Sequence, residues 1–331
     1  IIQVPLVKPL YIRMYTGNSA MKEVVVTASE KKGITSTTII GQTAMEHLQP
    51  SSFTDLLALL PGGMTKIPSL GSANVITLRE AGSPSSQYAT SSLGTKFIVD
   101  GQPIGTDANM QYIAGAFQGD ADNSRNHISY GVDMREIPTD DIERVEVVRG
   151  IPSVKYGELT SGLINITRKR SQTPLQIRLK ADEYGKLISA GKGFLLAEKW
   201  NLNVDGGLLD AKKEPRNQFE TYKRLTFSAR IQRKWKLGEH NILEWNGATD
   251  YALNVDNVKT DPEIQIHKED RYRSSYLKIG MNNRIVYRRL LPLGLQRASF
   301  AYTASVAFDK IHQTEAVALQ RDYVVPLAYE S

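Results

Sequence analysis

Cysteine is absent from the 331 residues. That excludes disulfide staples, thiol catalysis and cysteine-based zinc sites together. No stretch reaches the roughly 18 consecutive apolar residues of a membrane-crossing helix. A membrane β-barrel stays open, because its signal per strand is weak. Catalytic signatures are missing too: there is no HExxH, no Walker A loop and no GxSxG. Gly191-Lys192-Gly193 lacks the third glycine of a dinucleotide loop and sits inside an alternating run. The five histidines, His47, His127, His240, His267 and His312, have no ligand spacing. Asp120-x-Asp122-x-Ser124-x-Asn126 opens like a calcium loop, but Arg125 and Gly131 stand where such a loop needs glycine and a bidentate glutamate. The expectation is a protein that is not an enzyme and uses no cofactor or metal.

What is present is ordered and basic. Apolar residues make up 41% and charged residues 23%, which excludes a disordered or collagen-like chain. Lys and Arg outnumber Asp and Glu by 41 to 35, and the whole excess lies after residue 170. These cations are spread over many alternating segments and form no single stripe, so nucleic acid is not an expected partner. A charged lumen or contact with anionic lipid headgroups accounts for them better. The chain opens on Ile1 without a leader and ends mid-pattern at Tyr329-Glu330-Ser331, and it reads as a piece of a longer protein.

Along the chain, Leu10 to Met14 reads as one strand, followed by the β-branched run Glu23-Val24-Val25-Val26-Thr27-Ala28 and a polar linker over 29–42. Ser52 is a candidate helix N-cap with Asp55 positioned to return the bond, and Phe53, Leu56, Leu57 and Leu60 form one apolar stripe. Pro61-Gly62 ends it. Phe97-Ile98-Val99 runs into a tight turn at Asp100-Gly101. Residues 104–136 form a long polar stretch, and loops of that length are usually functional. Strands follow at Ile142 to Val148 and Leu163 to Ile166, completing a mixed α/β unit.

After Gln172 the pattern becomes period two. Leu225, Phe227, Ala229 and Ile231 alternate with Arg224, Thr226, Ser228 and Arg230; Leu277, Ile279, Met281, Ile285 and Tyr287 share one parity. Long strands with one apolar and one polar face suit an antiparallel sheet between two different surroundings. Trp200, Trp235, Tyr251, Tyr276 and Tyr287 fit aromatic girdles of a membrane barrel. A soluble sheet can show the same alternation.

These residues resemble the TonB-dependent outer-membrane receptors. Asp55 to Gly62 is similar to the family's helix ending in Leu-Pro-Gly, and Phe97 to Ile104 to its strand, Asp-Gly and turn. Ile137 to Ile166 is similar to its "IERVEVVRG … YG … GG-x-INI" signature, with Ser161-Gly162 in place of Gly-Gly. The resemblance implies a mixed α/β plug domain followed by antiparallel transmembrane β-barrel strands, part of a 22-stranded plugged barrel. The implied domains are 1–22, the end of an Ig-like, carboxypeptidase-regulatory-like domain as in many Bacteroidetes receptors; 23–45, TonB box and linker; 46–170, plug; and 171–331, about eight barrel strands. At roughly 10 residues per strand plus connections, 22 strands need on the order of 450 residues.

The resemblance implies location in the outer membrane of a Gram-negative bacterium and active import of a scarce nutrient such as a siderophore or cobalamin. Its implied partners are TonB with ExbB-ExbD, an extracellular small ligand, and outer-membrane lipid or lipopolysaccharide. TonB would pair with Glu23, Val24, Val25, Val26, Thr27 and Ala28 by strand addition. Asn109, Gln111, Tyr112, Asn123, Arg125 and Tyr130 would contact ligand at the plug apex, and Arg79 and Arg149 would bridge plug and barrel. Three alternatives stay open: a SusC-like glycan or peptide importer working with a surface lipoprotein, a passive porin or adhesin, and a soluble β-rich binding protein.

Overall fold

The computed structural model describes residues 29–31, 37–60, 76, 94–105, 131–149, 156–157, 162–196, 199–212, 214–261, 263, 270–289 and 296–314. The segment 23–28, the six loop residues from Asn109 to Tyr130, and Arg79 lie outside these. Two sheets organise the described residues. The first comprises β1 (Ser29–Lys31), β2 (Thr37–Gly41), β3 (Thr95–Val99), β4 (Gln102–Pro103), β5 (Ile142–Val148) and β6 (Gly162–Arg168), in the order β1-β2-β5-β6-β3-β4. All pairs are antiparallel except β3 with β6. The sheet takes in β1 and β2, strands within the stretch that reads as linker.

Its core follows from the stripes in the sequence. Ile40, Phe53, Leu56, Phe97, Val145, Val147, Ile164 and Ile166 bury their side chains in one cluster. Phe53 meets Phe97 edge to face, with centroids 5.9 Å apart. The segment Phe53–Leu59 is a 3₁₀ helix with a complete capping box: Ser52 N–H donates to Asp55 Oδ2 at 3.1 Å, and Thr54 N–H donates to Ser52 Oγ at 3.3 Å. A short helix α1 (Gln42–Leu48) precedes it and ends on Gln49, whose left-handed backbone turns the chain toward Pro50.

The second sheet contains β7 (Thr173–Ala181), β8 (Gly185–Leu196), β9 (Trp200–Ala211), β10 (Glu220–Leu237), β11 (Asn241–Lys259), β12 (Arg271–Arg289) and β13 (Arg297–Thr314). All seven are antiparallel neighbours in sequence order. Strands of 18 and 19 residues exceed the usual five or six of soluble sheets. The faces are inverted relative to a soluble protein. Leu179, Phe227, Phe300 and Val306 stay exposed on one parity, while Asn203, Arg224, Ser228, Arg230, Asp256 and Asn282 are buried on the other. The buried polar face is the one that packs on the first unit. Apolar side chains outward and polar ones inward is the pattern of a membrane barrel wall.

Candidate functional site at the interface of the two sheets

The Asp100-Gly101 turn sits at the centre of the first contact band. Both residues have positive φ, 54° and 84°, as a two-residue hairpin turn requires. Arg284 of β12 folds its guanidinium over Gly101, with Nη1 2.5 Å from where a Cβ would stand. Asn282, also on β12, donates to Val99 O at 3.3 Å. The wall thus closes around the turn.

Charges meet here in a reciprocal arrangement. Arg168, at the end of β6, donates from its backbone N–H and its Nε to the two oxygens of Asp100 (3.0 and 2.7 Å). Its two Nη groups reach across to the carboxylate of Asp250 on β11. Arg230 on β10 does the converse. It donates to Asp141 of the first unit at 3.0 Å, to Asp205 of its own wall, and through Nε to Lys169 O at 2.9 Å. Arg170 approaches Asp100 at 3.0 Å, and Ser228 Oγ donates to Asp250 at 2.7 Å. Arg230 is fully buried, as are most of Asp141, Asp100 and Arg168. Each side therefore contributes one arginine to the other side's carboxylate, with the remaining donors satisfied as buried charge demands.

Ionisation follows from this sharing. Burial alone would raise Asp100, but the charges of Arg168 and Arg170 and the hydrogen bonds from Arg168 outweigh it and hold the carboxyl below its usual value. Asp141 is pushed up to about 6, by burial first. Its arginines oppose the shift, but Arg230 is shared with Asp205 and Arg168 with Asp100 and Asp250, and the neighbouring carboxylates add repulsion. Burial pulls Arg168 down, yet its three aspartates prevail and raise it.

The second band lies toward α1 and the 3₁₀ turn Met134–Glu136. Here wall cations reach mainly for backbone. Arg178 donates to Pro50 O at 2.5 Å and to Asp140 at 2.6 Å. Lys180 donates to Gln49 O at 3.1 Å and Ser51 Oγ at 2.7 Å. Buried Arg224 donates to Arg135 O at 2.5 Å. Arg135 stacks 4.8 Å over Tyr222 and pairs with Asp133 at 2.7 Å.

Residues 29–163 match the family model of the TonB-dependent receptor plug domain. That segment is a plug domain of the TonB-dependent receptor type. One solved structure agrees on the fold. The unliganded ferric citrate transporter FecA superposes with a TM-score of 0.50 at 10% identity, covering 87% of this chain and 52% of that one. The siderophore receptor PirA from Acinetobacter baumannii gives 0.47 at 15% identity, with 84% and 44% covered. A mutant of the ferric enterobactin receptor PfeA from Pseudomonas aeruginosa gives 0.45 at 16%, with 84% and 45% covered. The chain spans about half the length of these structures, and identities this low speak to fold alone. No curated protein matches the sequence.

Of the residues that the sequence singles out as plug-to-barrel contacts, Arg149 donates to Thr38 at 3.3 Å, a bond inside the plug. The described ion pairs between plug and wall join Arg168 to Asp250, Asp141 to Arg230, Asp140 to Arg178 and Arg135 to Asp256. A signal was available. Arg230, Asp205 and Asp250 are charged residues on the parity opposite the apolar one, and Arg168-Lys169-Arg170 begins on the last residue of β6.

Proposed function

We propose that the full-length protein containing this chain is an outer-membrane receptor that imports a scarce nutrient of the siderophore or cobalamin class, driven by TonB with ExbB-ExbD. The observation that carries this reading is the character of the plug seat. An imported solute passes only if the plug moves, and an interface of ion pairs and hydrogen bonds can exchange partners with water, whereas an apolar one would resist release. The superposing FecA is a ferric citrate transporter, and that relation supports the nutrient-import class.

In this reading Glu23 to Ala28 pairs with TonB by strand addition, the loop residues Asn109, Gln111, Tyr112, Asn123, Arg125 and Tyr130 contact ligand, and Arg79 and Arg149 assist plug docking. Strand addition uses backbone groups, so Val25→Thr should keep energised uptake while Val25→Pro, which removes an N–H donor, should abolish it with whole-cell binding unchanged. Accumulation by Val25→Pro would overturn the TonB-driven reading. Combined substitution of Tyr112, Arg125 and Tyr130 should weaken ligand binding without unfolding. Unchanged affinity would move the site to the barrel loops.

A further inference from the structure

We propose that an outward-facing patch near one end of the barrel wall, built on Lys192, Phe194, Trp200, Arg233 and Trp235, seats the phosphate of an anionic phospholipid headgroup. The inference rests on the barrel reading above and goes beyond it.

The registers bring the patch together. Leu196, Trp200, Arg233 and Trp245 are successive cross-strand partners on β8, β9, β10 and β11, and Phe194, Leu202 and Ile231 form the adjacent row. Arg233 shares its parity with Leu225, Phe227 and Ile231, the face turned away from the plug. Its guanidinium carbon lies 4.8 Å from the Trp200 ring centroid and 4.9 Å from that of Trp235. Trp200 in turn meets Trp235 and Trp245 edge to face at 6.0 and 5.6 Å. Lys192, on the same face, places its ammonium 4.9 Å from the Phe194 centroid. The two cations stand two rows and two strands apart, with the Phe194, Leu202 and Ile231 row between them, each fixed over aromatic rings.

Depth and sign select the ligand. Toward the middle of the sheet this face continues as exposed Leu208, Leu225 and Phe227; toward its end β8 stops at Leu196 four residues before β9 starts at Trp200, and β10 stops at Leu237 four residues before β11 starts at Asn241. Barrels carry such aromatic belts where hydrocarbon gives way to headgroups, with short turns on the periplasmic side. Asp and Glu are absent from the outward parity of β8 to β11 over Lys192–Leu196, Trp200–Leu208, Ala229–Leu237 and Asn241–Thr249. A stacked guanidinium presents a planar fork matched to two phosphate oxygens, and Lys192, two strands along the same belt, adds a second positive charge that favours an anionic headgroup. The headgroup phosphate of a phospholipid reaches that depth with its acyl chains along the apolar face.

The test uses the full-length protein in detergent, exchanged through mixed micelles holding phosphatidylglycerol and phosphatidylcholine, with retained lipid measured by mass spectrometry. Wild type should retain phosphatidylglycerol selectively. Lys192→Gln and Arg233→Gln should each lower that selectivity about fivefold, and Lys192→Arg should keep it. Equal retention in wild type, or full retention by the double glutamine variant, would overturn the proposal. So would displacement of the lipid by excess inorganic phosphate, which would mark a plain anion site. Heat-modifiable migration on a gel verifies that each variant is folded, and the single variants serve if the double one is not. A parent protein that needs no detergent would instead overturn the barrel reading.

Discussion

Around Asp100 and Arg230 the plug meets the wall carboxylate to guanidinium; around Pro50 and Arg135 the wall's cations reach mainly for plug carbonyls, with Arg178–Asp140 and Arg135–Asp256 as the ion pairs at its margin. The first band is a closed exchange in which Arg168 and Arg230 each cross to the opposite side. The second caps the end of α1 and the turn after it with Lys180, Arg178 and Arg224. Carbonyl acceptors do not titrate and leave no charge behind when released. Carboxylates do both. The first band should therefore govern how firmly the plug is held under changing pH, and the second should set its orientation.

The largest effect expected is at Arg230. Replacing it by Met strands Asp141 and Asp205 without their shared cation in a buried setting, which costs about 3–5 kcal/mol. Chemical unfolding of the full-length protein in detergent, read by a fluorophore on the plug, measures it. Adding Asp141→Asn to Arg230→Met should recover a large part of the loss, since it removes one of the stranded charges. Strictly additive effects would dissolve the idea of a coupled network.

Arg224→Met should cost less, about 1.5–3 kcal/mol, the range for hydrogen bonds made by a charged donor. Its acceptor at 2.5 Å is the Arg135 carbonyl. Neutralising a nearby carboxylate should therefore bring no recovery. Asp140 already pairs with Arg178 at 2.6 Å, so recovery by Asp140→Asn would show that Arg224 too is held by that carboxylate, and the contrast between the bands would fail.

A pH titration separates the bands at an effect on the order of 2 kcal/mol. Asp141 is raised in the folded plug, to about 6 from an ordinary 3.8. Its contribution is then complete below about pH 4 and lost as pH rises through about 6. Asp100 is lowered, so its contribution is present above about pH 4 and lost as pH falls below that. The plug should be firmest near pH 4, where both contributions are largely present. Asp141→Asn should abolish the decline between about pH 4 and 6 while keeping the acid limb. Arg224→Met should leave both limbs in place.

Much of this was legible in the sequence, for physical reasons. The capping box at Ser52, the Asp100-Gly101 turn and the period-two strands depend on local chemistry and alternation, and each appears in the structure where the spacing puts it. Faces were legible too: Phe227 and Ile231 share one parity, Ser228 and Arg230 the other. Partners were not. Arg230 meets Asp141 across 89 residues and Arg168 meets Asp250 across 82, pairings that only sheet register and plug docking decide. For the same reason Arg149, beside the strand signature, drew attention ahead of Arg168, whose position at the end of β6 puts its guanidinium between two carboxylates.

The smallest effect tests the outer margin of the second band. Lys180 caps Gln49 O and Ser51 Oγ, but its side chain remains about a third exposed, and Asp182 lies 3.4 Å away. Water can replace much of what it provides, and salt screens the rest. Lys180→Met should therefore cost under about 1 kcal/mol, in the range of a cation at a helix C-terminus, and the difference from wild type should shrink as ionic strength rises. Comparing the two proteins at low and high salt by the same unfolding signal measures both points. A loss as large as that of Arg230→Met, unaffected by salt, would mean that the carbonyl-capping band holds the plug as tightly as the ion network does, and the division of labour between the bands would have to be reversed.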